Sequence, residues 1–233
     1  MISPIILAMD TDDLDIAKRW ISLTNGSVGV YKLGLEFFLK FGPDGIVKIQ
    51  NETDCEIFLD LKLHDIPNTV GAATAQVAPL KPKFLTVHAS GGSAMISAAV
   101  SSAKNTQITA VTILTSLSQE DMQAIGFQGT PQSRAIELAK LATAAGARAI
   151  VCSPLEIEGI RANVSAEINI ITPGIRPLGS AGGDDQKRVM DPKSAIAAGA
   201  NYLVIGRPIT GAWKDGESAF SDAAKKIAAE ALS

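Results

Sequence analysis

Residues 5–13 read IILAMDTDD. Apolar side chains run without alternation to Met9 and then meet a carboxylate, Asp10, with no glycine in the turn that follows. An unalternating run is the signature of a parallel strand covered on both faces. An open, doubly wound α/β sheet usually places a Gly-rich phosphate turn after its first strand, and this chain has none there. Similar runs recur at 28–33, 56–63, 84–87, 108–114, 149–152, 168–171 and 202–205.

Most of these runs are followed by a helical pattern. The clearest spans 134–145, where Ala135, Leu138, Ala139 and Ala142 share a face and Gly146 supplies a C′ residue. Asp191 and Pro192 suit the N-cap and first position of another helix, which Gly199 ends. A last helix carries Ala224, Ile227, Ala228 and Ala231 on one face. Strand–helix units spread over 233 residues average about 29 residues each, near the minimum for a βαβ repeat. Eight of them close into a barrel. The expected fold is therefore α/β, a (β/α)8 TIM barrel, with residues 1–233 forming a single catalytic domain and no linker at which to divide it.

Composition narrows the function. A formal net charge of −3 with 46% hydrophobic residues argues against a nucleic-acid partner, whose phosphates demand a basic surface. No apolar run approaches the roughly 18 residues of a membrane span. The N-terminal MISPIILAMD lacks a basic region and reads as a buried strand, so a cytoplasmic protein is expected. Cys55 and Cys152 have neither disulfide-framework nor metal-site spacing and read as core thiols. With only His64 and His88 present, a multi-histidine metal site is not expected. Trp20 and Trp213 read as packing residues.

In a barrel, the C-terminal strand ends face the active site. Those ends carry Asp10, Lys32, Asp60 with Lys62, His88, Thr115, Ser153, Pro173-Gly174 and Gly206-Arg207. Any one could be a helix cap or a solvated strand end; their gathering on one side points to a site. The richest segment is FLDLKLHDIPNT, 58–69. Strand alternation sends Asp60 and Lys62 to one face, inward if Leu59, Leu61 and Leu63 pack against helices. Burying a carboxylate and an ammonium in so apolar a strand is costly unless they pair. Asp65 follows at a loop position, free to reach across an interface, and His88 reads as support for the charged cluster.

Near the C-terminus, ITPGIRPLGS (171–180) opens a loop, and 178–186 has the glycine content of a mobile lid. VIGRPIT (204–210) offers the Gly206 backbone and the Arg207 guanidinium to an anion. Barrels commonly bind phosphate after their seventh and eighth strands, so a phosphate monoester is the expected handle on the ligand.

DLKLHDIPNT, together with KLG at 32–34, TPGIRP at 172–177 and VIGRPIT, resembles the orotidine 5′-phosphate decarboxylases of the common bacterial type. The resemblance runs from Asp10 to the last βα unit. It implies a catalytic tetrad of Lys32, Asp60, Lys62 and Asp65, with Asp65 reaching the site of a partner subunit in a homodimer. Asp60 would face the substrate carboxylate, and Lys62 would protonate C6 after carbon dioxide leaves. Asp10 and Lys32, with Asp65 and Thr69 of the other chain, would contact the ribose. Thr115 would lie near the pyrimidine, and Arg176, Gln186, Gly206 and Arg207 would grip the phosphate. The spacing from Arg176 to Gln186 is one residue longer than the family pattern RPxGSxxGDQ, an insertion that a loop tolerates at small cost.

The implied reaction converts orotidine 5′-monophosphate to uridine 5′-monophosphate in pyrimidine synthesis, with no cofactor and no metal. The electron pair left at C6 lies in an orbital that the ring cannot delocalise. Stabilisation must therefore be electrostatic, by an ammonium whose hold strengthens as charge develops. Opposite charges on both sides would keep Lys62 protonated. Two alternatives stay open here. A metal-dependent sugar-phosphate decarboxylase or aldolase of the same superfamily would want an acid at the second strand end, where Lys32 stands with Glu36 four residues on. A non-catalytic barrel would bind the nucleotide without turnover.

Overall fold

The computed structural model describes residues 3–177 and 189–233. In chain order the strands are β1 (Ile5–Ala8), β2 (Val30–Gly34), β3 (Glu56–Leu63), β4 (Phe84–His88), β5 (Gln107–Val111), β6 (Ala149–Val151), β7 (Asn169–Thr172) and β8 (Tyr202–Ile205). Each pairs in parallel with its neighbours, and β1 pairs with β8, closing the barrel. Between the strands run α1 (Leu14–Thr24), α2 (Leu35–Gln50), α3 (Pro67–Val77), α4 (Gly92–Ser102), α5 (Gln119–Ala124), α6 (Pro131–Ala144), α7 (Ile157–Arg161) and α8 (Pro192–Ala197). After β8 come α9 (Arg207–Thr210) and α10 (Glu217–Ala231). The expected (β/α)8 barrel is observed.

The strands read as unbroken apolar runs because both of their faces are buried. On β1, Ile6 points into the barrel with Val30, Phe58, Phe84, Ala149 and Ile171. Its neighbours Ile5 and Leu7 belong to the larger core between sheet and helices. Phe84 meets Phe58 edge-on at 5.6 Å and Tyr202 at 5.4 Å, which fills the barrel below the site.

Helix ends follow their capping chemistry. Asp191 caps α8 by accepting the Ser194 N–H at 2.9 Å, and Asp13 caps α1 through the N–H groups of Asp15 and Ile16. Beyond α6 and α8, Gly146 and Gly199 adopt φ of 100° and 110°, the left-handed turn that ends a helix most easily at glycine. The expected faces of α6 and α10 are the buried ones.

Some expectations need correction. Residues 112–114 do not extend β5: the Thr112 N–H crosses to the Val151 carbonyl at 3.1 Å and the chain leaves the ladder. β2 starts at Val30, because residues before it complete the turn from α1. Cys152 is buried as expected, but Cys55 is only half-buried, since it precedes β3 at the edge of the core. Trp20 packs against Phe220 and Trp213, as expected.

Candidate active site

The C-terminal strand ends surround a cavity of about 320 Å³, within the range of small-ligand sites. Its apolar wall comes from Phe58, Val111, Val151 and Val204. Asp10, Lys32, Asp60 and Lys62 line it on one side of the chain order, and Thr115, Arg176, Gly206 and Arg207 also line it. Eight residues singled out from sequence thus converge on one space. Asp65 and Thr69 are exposed, before and within the first turn of α3. Gln186 and the expected lid at 178–186 lie among residues 178–188, outside the described residues.

The ionisable groups form a chain of alternating sign. Asp10 Oδ1 lies 3.6 Å from Lys32 Nζ, and Lys32 Nζ lies 3.4 Å from Asp60 Oδ2. The Lys62 ammonium donates to Asp60 Oδ1 at 2.8 Å. Strand geometry explains the alignment: Ala8 pairs with Lys32 and Gly34 pairs with Asp60. Lys32 also pairs with Phe58, so it starts two residues below Asp60 on the inner face, and its long side chain reaches up beside Gly34 to Asp10 and Asp60. Leu59 and Leu61 go to the outer core, as the alternation required.

Burial and charge act against each other here. Burial pulls the Lys32 ammonium towards neutrality, but the carboxylates of Asp60 and Asp10 outweigh it and hold the group above its ordinary value. Burial likewise pushes Asp60 up, and Lys32 and Lys62 overcome this to hold it below the usual carboxylate range. Both groups therefore remain charged. The His88 ring lies 5.2 Å from that of His64. Burial first, then His64 and Lys62, draws His88 below its ordinary value against the pull of Asp60.

Across the cavity, the loop after β7 is fixed by backbone pairing. Arg176 N–H donates to the Met190 carbonyl at 2.9 Å, and Met190 N–H donates to that of Gly174 at 3.3 Å. Burial lowers the Arg176 guanidinium from its ordinary value. Gly206 caps α9, accepting the Ile209 and Thr210 N–H groups, and Arg207 follows it at the helix start. Among the described lining residues, Lys32, Lys62, Arg176 and Arg207 face two carboxylates, Asp10 and Asp60. That cationic surplus suits a polyanionic ligand.

One participant was not found from sequence. Thr86 on β4 accepts from the Lys62 backbone N–H at 2.8 Å and donates to Asp60 Oδ1 at 3.0 Å. A β-branched residue inside a strand signals packing, so its sequence position alone gave no pointer to this contact.

A parallel barrel with lysines, arginines and paired carboxylates around one cavity at its C-terminal mouth has the architecture of a barrel enzyme, with a site suited to an anionic ligand. The sequence profile of the orotidine 5′-phosphate decarboxylase / HUMPS family matches residues 3–221, and the chain belongs to that family. An orotidine 5′-phosphate decarboxylase of Thermobifida fusca is 48% identical over 225 residues, covering 97% of this chain and 96% of the relative. One of Frankia casuarinae is 41% identical over 244 residues, covering 97% and 89%. The crystal structure of an orotidine 5′-phosphate decarboxylase from Lactobacillus acidophilus superposes with a TM-score of 0.84 at 33% identity, covering 99% of this chain and 100% of that one. The chain is accordingly a decarboxylase, a carboxy-lyase of pyrimidine biosynthesis. Among the described residues, no helix is long and apolar enough to cross a membrane.

Proposed function

We propose that the barrel mouth decarboxylates orotidine 5′-monophosphate with Lys62 as the proton donor, Asp60 as the carboxylate beside the departing one, and a second subunit completing the site. The observation that carries this reading is the Lys32–Asp60–Lys62 chain, with contacts of 3.4 and 2.8 Å, on the wall of the cavity. The bond from C6 to the carboxylate carbon breaks, carbon dioxide leaves, and the electron pair stays on C6. The Lys62 ammonium lies where that charge grows, so its attraction is stronger in the transition state than in the ground state. It then gives a proton to C6, yielding uridine 5′-monophosphate, and regains one from solvent.

Asp10 and Lys32 are assigned to the ribose hydroxyls, Thr115 to the pyrimidine, and Arg176, Gln186, Gly206 and Arg207 to the phosphate. Binding energy from this remote phosphate orients the ring for reaction at C6. Asp65 and Thr69 are assigned to the neighbouring site of a homodimer. Within one chain, the Asp65 carboxylate accepts its own following N–H, that of Ile66, at 2.6 Å. Ile66 is 65% exposed between these two polar residues, an arrangement suited to burial against another subunit. Turnover of orotidine 5′-monophosphate by the purified chain in excess chelator, followed by pyrimidine absorbance, tests the reading. Full activity is expected, and metal-dependent turnover or none contradicts it.

A further inference from the structure

The ladder between β3 and β4 slips beside the active site. β3 advances four residues, from Leu59 to Leu63, while β4 advances two, from Leu85 to Val87. Extra residues on one strand lose their regular backbone partners. Lys62 is one of them, at φ 49°, in the left-handed region that residues with a Cβ enter at a cost. Such a conformation persists only where its surroundings over-determine it.

Thr86 supplies that constraint. Its Oγ1 replaces the missing ladder acceptor, taking the Lys62 N–H at 2.8 Å. The same hydroxyl donates its proton to Asp60 Oδ1 at 3.0 Å, the oxygen that also accepts from Lys62 Nζ at 2.8 Å. One hydroxyl therefore ties the backbone of the lysine to the carboxylate that its ammonium grips, using acceptor and donor capacity together. Thr86 is fully buried, so water does not compete for these bonds.

We infer that Thr86 is a positioning residue for the reaction, holding Lys62 in its left-handed backbone state so that the ammonium sits beside Asp60 and faces C6. This rests on the assignment of Lys62 as proton donor. Thr86 acts through Lys62 and Asp60. Without its hydroxyl, Lys62 relaxes towards ordinary φ and the ammonium moves off the reacting carbon, and misplacement on the order of 1 Å costs about 100-fold in rate.

The test compares Thr86→Val, close in shape but without hydrogen bonds, with Thr86→Ser and with Lys62→Ala. Thr86→Val is expected to lower kcat about 100-fold, with KM and uridine 5′-monophosphate affinity within about threefold of wild type. Thr86→Ser is expected to return kcat to within about fivefold of wild type. An inactive Lys62→Ala beside a Thr86→Val that stays within about threefold of wild type overturns the role of Thr86 alone. A Lys62→Ala that keeps its turnover shows that the proton-donor assignment failed, and the role of Thr86 falls with it. A Thr86→Val loss that serine does not restore, or that weakens nucleotide binding equally, marks a purely structural contact and also overturns the inference. Should Thr86→Val not fold, Thr86→Ser and Thr86→Ala differ only in the hydroxyl. A kcat ratio of about 30 or more between them supports the inference, and a ratio near one overturns it.

Discussion

Lys62 reaches back along its own strand to bond Asp60 at 2.8 Å, and it does so from a left-handed backbone conformation. A regular strand would put both side chains on one face; the slipped ladder adds the turn that brings the ammonium onto the carboxylate. Asp60, held on its other oxygen by Lys32 at 3.4 Å, is fixed between two cations. Desolvating ions costs several kcal/mol each, and the alternating order of charges offsets that cost while leaving Lys62 partly open to the cavity.

Removing Asp60's charge leaves Lys32 and Lys62 facing each other, and breaking a buried pair in this way costs about 3 kcal/mol or more. Because the folded chain depresses Asp60, its contribution to stability is complete above the unfolded carboxylate value of about 3.9 and is lost as pH falls through the lower folded value. Lys32, raised by its carboxylates, contributes fully below the unfolded lysine value of about 10.4 and loses that contribution as pH rises through the higher folded value. Urea unfolding of wild type and Asp60→Asn should therefore show a constant stability gap between about pH 5 and 9. The gap should narrow by about 1.4 kcal/mol per pH unit below about pH 4. A gap undiminished at about pH 2 would refute this.

Arg207 is assigned to the ligand's phosphate, far from the bond that breaks. Charge-assisted hydrogen bonds of this kind contribute about 1.5–3 kcal/mol. Steady-state kinetics of Arg207→Ala should give a KM raised about 10–100-fold, and a substrate lacking the phosphate should be insensitive to the same change. An unchanged KM for the phosphorylated substrate would remove Arg207 from the grip.

Shared sites predict complementation. Lys62→Ala and Asp65→Ala chains, each inactive alone, should on mixing and subunit exchange recover about a quarter of wild-type activity, since half the dimers are hybrids with one intact site. A mixture as inactive as its parents argues that Asp65 serves no neighbouring site.

Much of this was legible in the sequence, for identifiable reasons. The limits of β3 and β8 followed from apolar runs that end in ionisable residues or glycine, and burial on both faces makes such runs continuous. Asp60 and Lys62 stood out because charge inside such a run is costly. The left-handed φ of Lys62 was not legible, because it arises from a register slip between two strands and not from the residue itself. Thr86 escaped for the same reason: its sequence position reads as strand packing, and its role appears only once Asp60 and Lys62 lie opposite. Residues 112–114 read as strand because Thr112, Ile113 and Leu114 extend an apolar run, although the ladder with β6 has already ended.

The central assignment is the Lys62 ammonium as proton donor to C6, and the kcat of Lys62→Ala tests it most directly. With folding verified and uridine 5′-monophosphate binding retained within about tenfold, kcat should fall at least about 1,000-fold, the scale of a lost general acid and its charge. A variant that binds the nucleotide and still turns over at a rate near wild type would contradict the account.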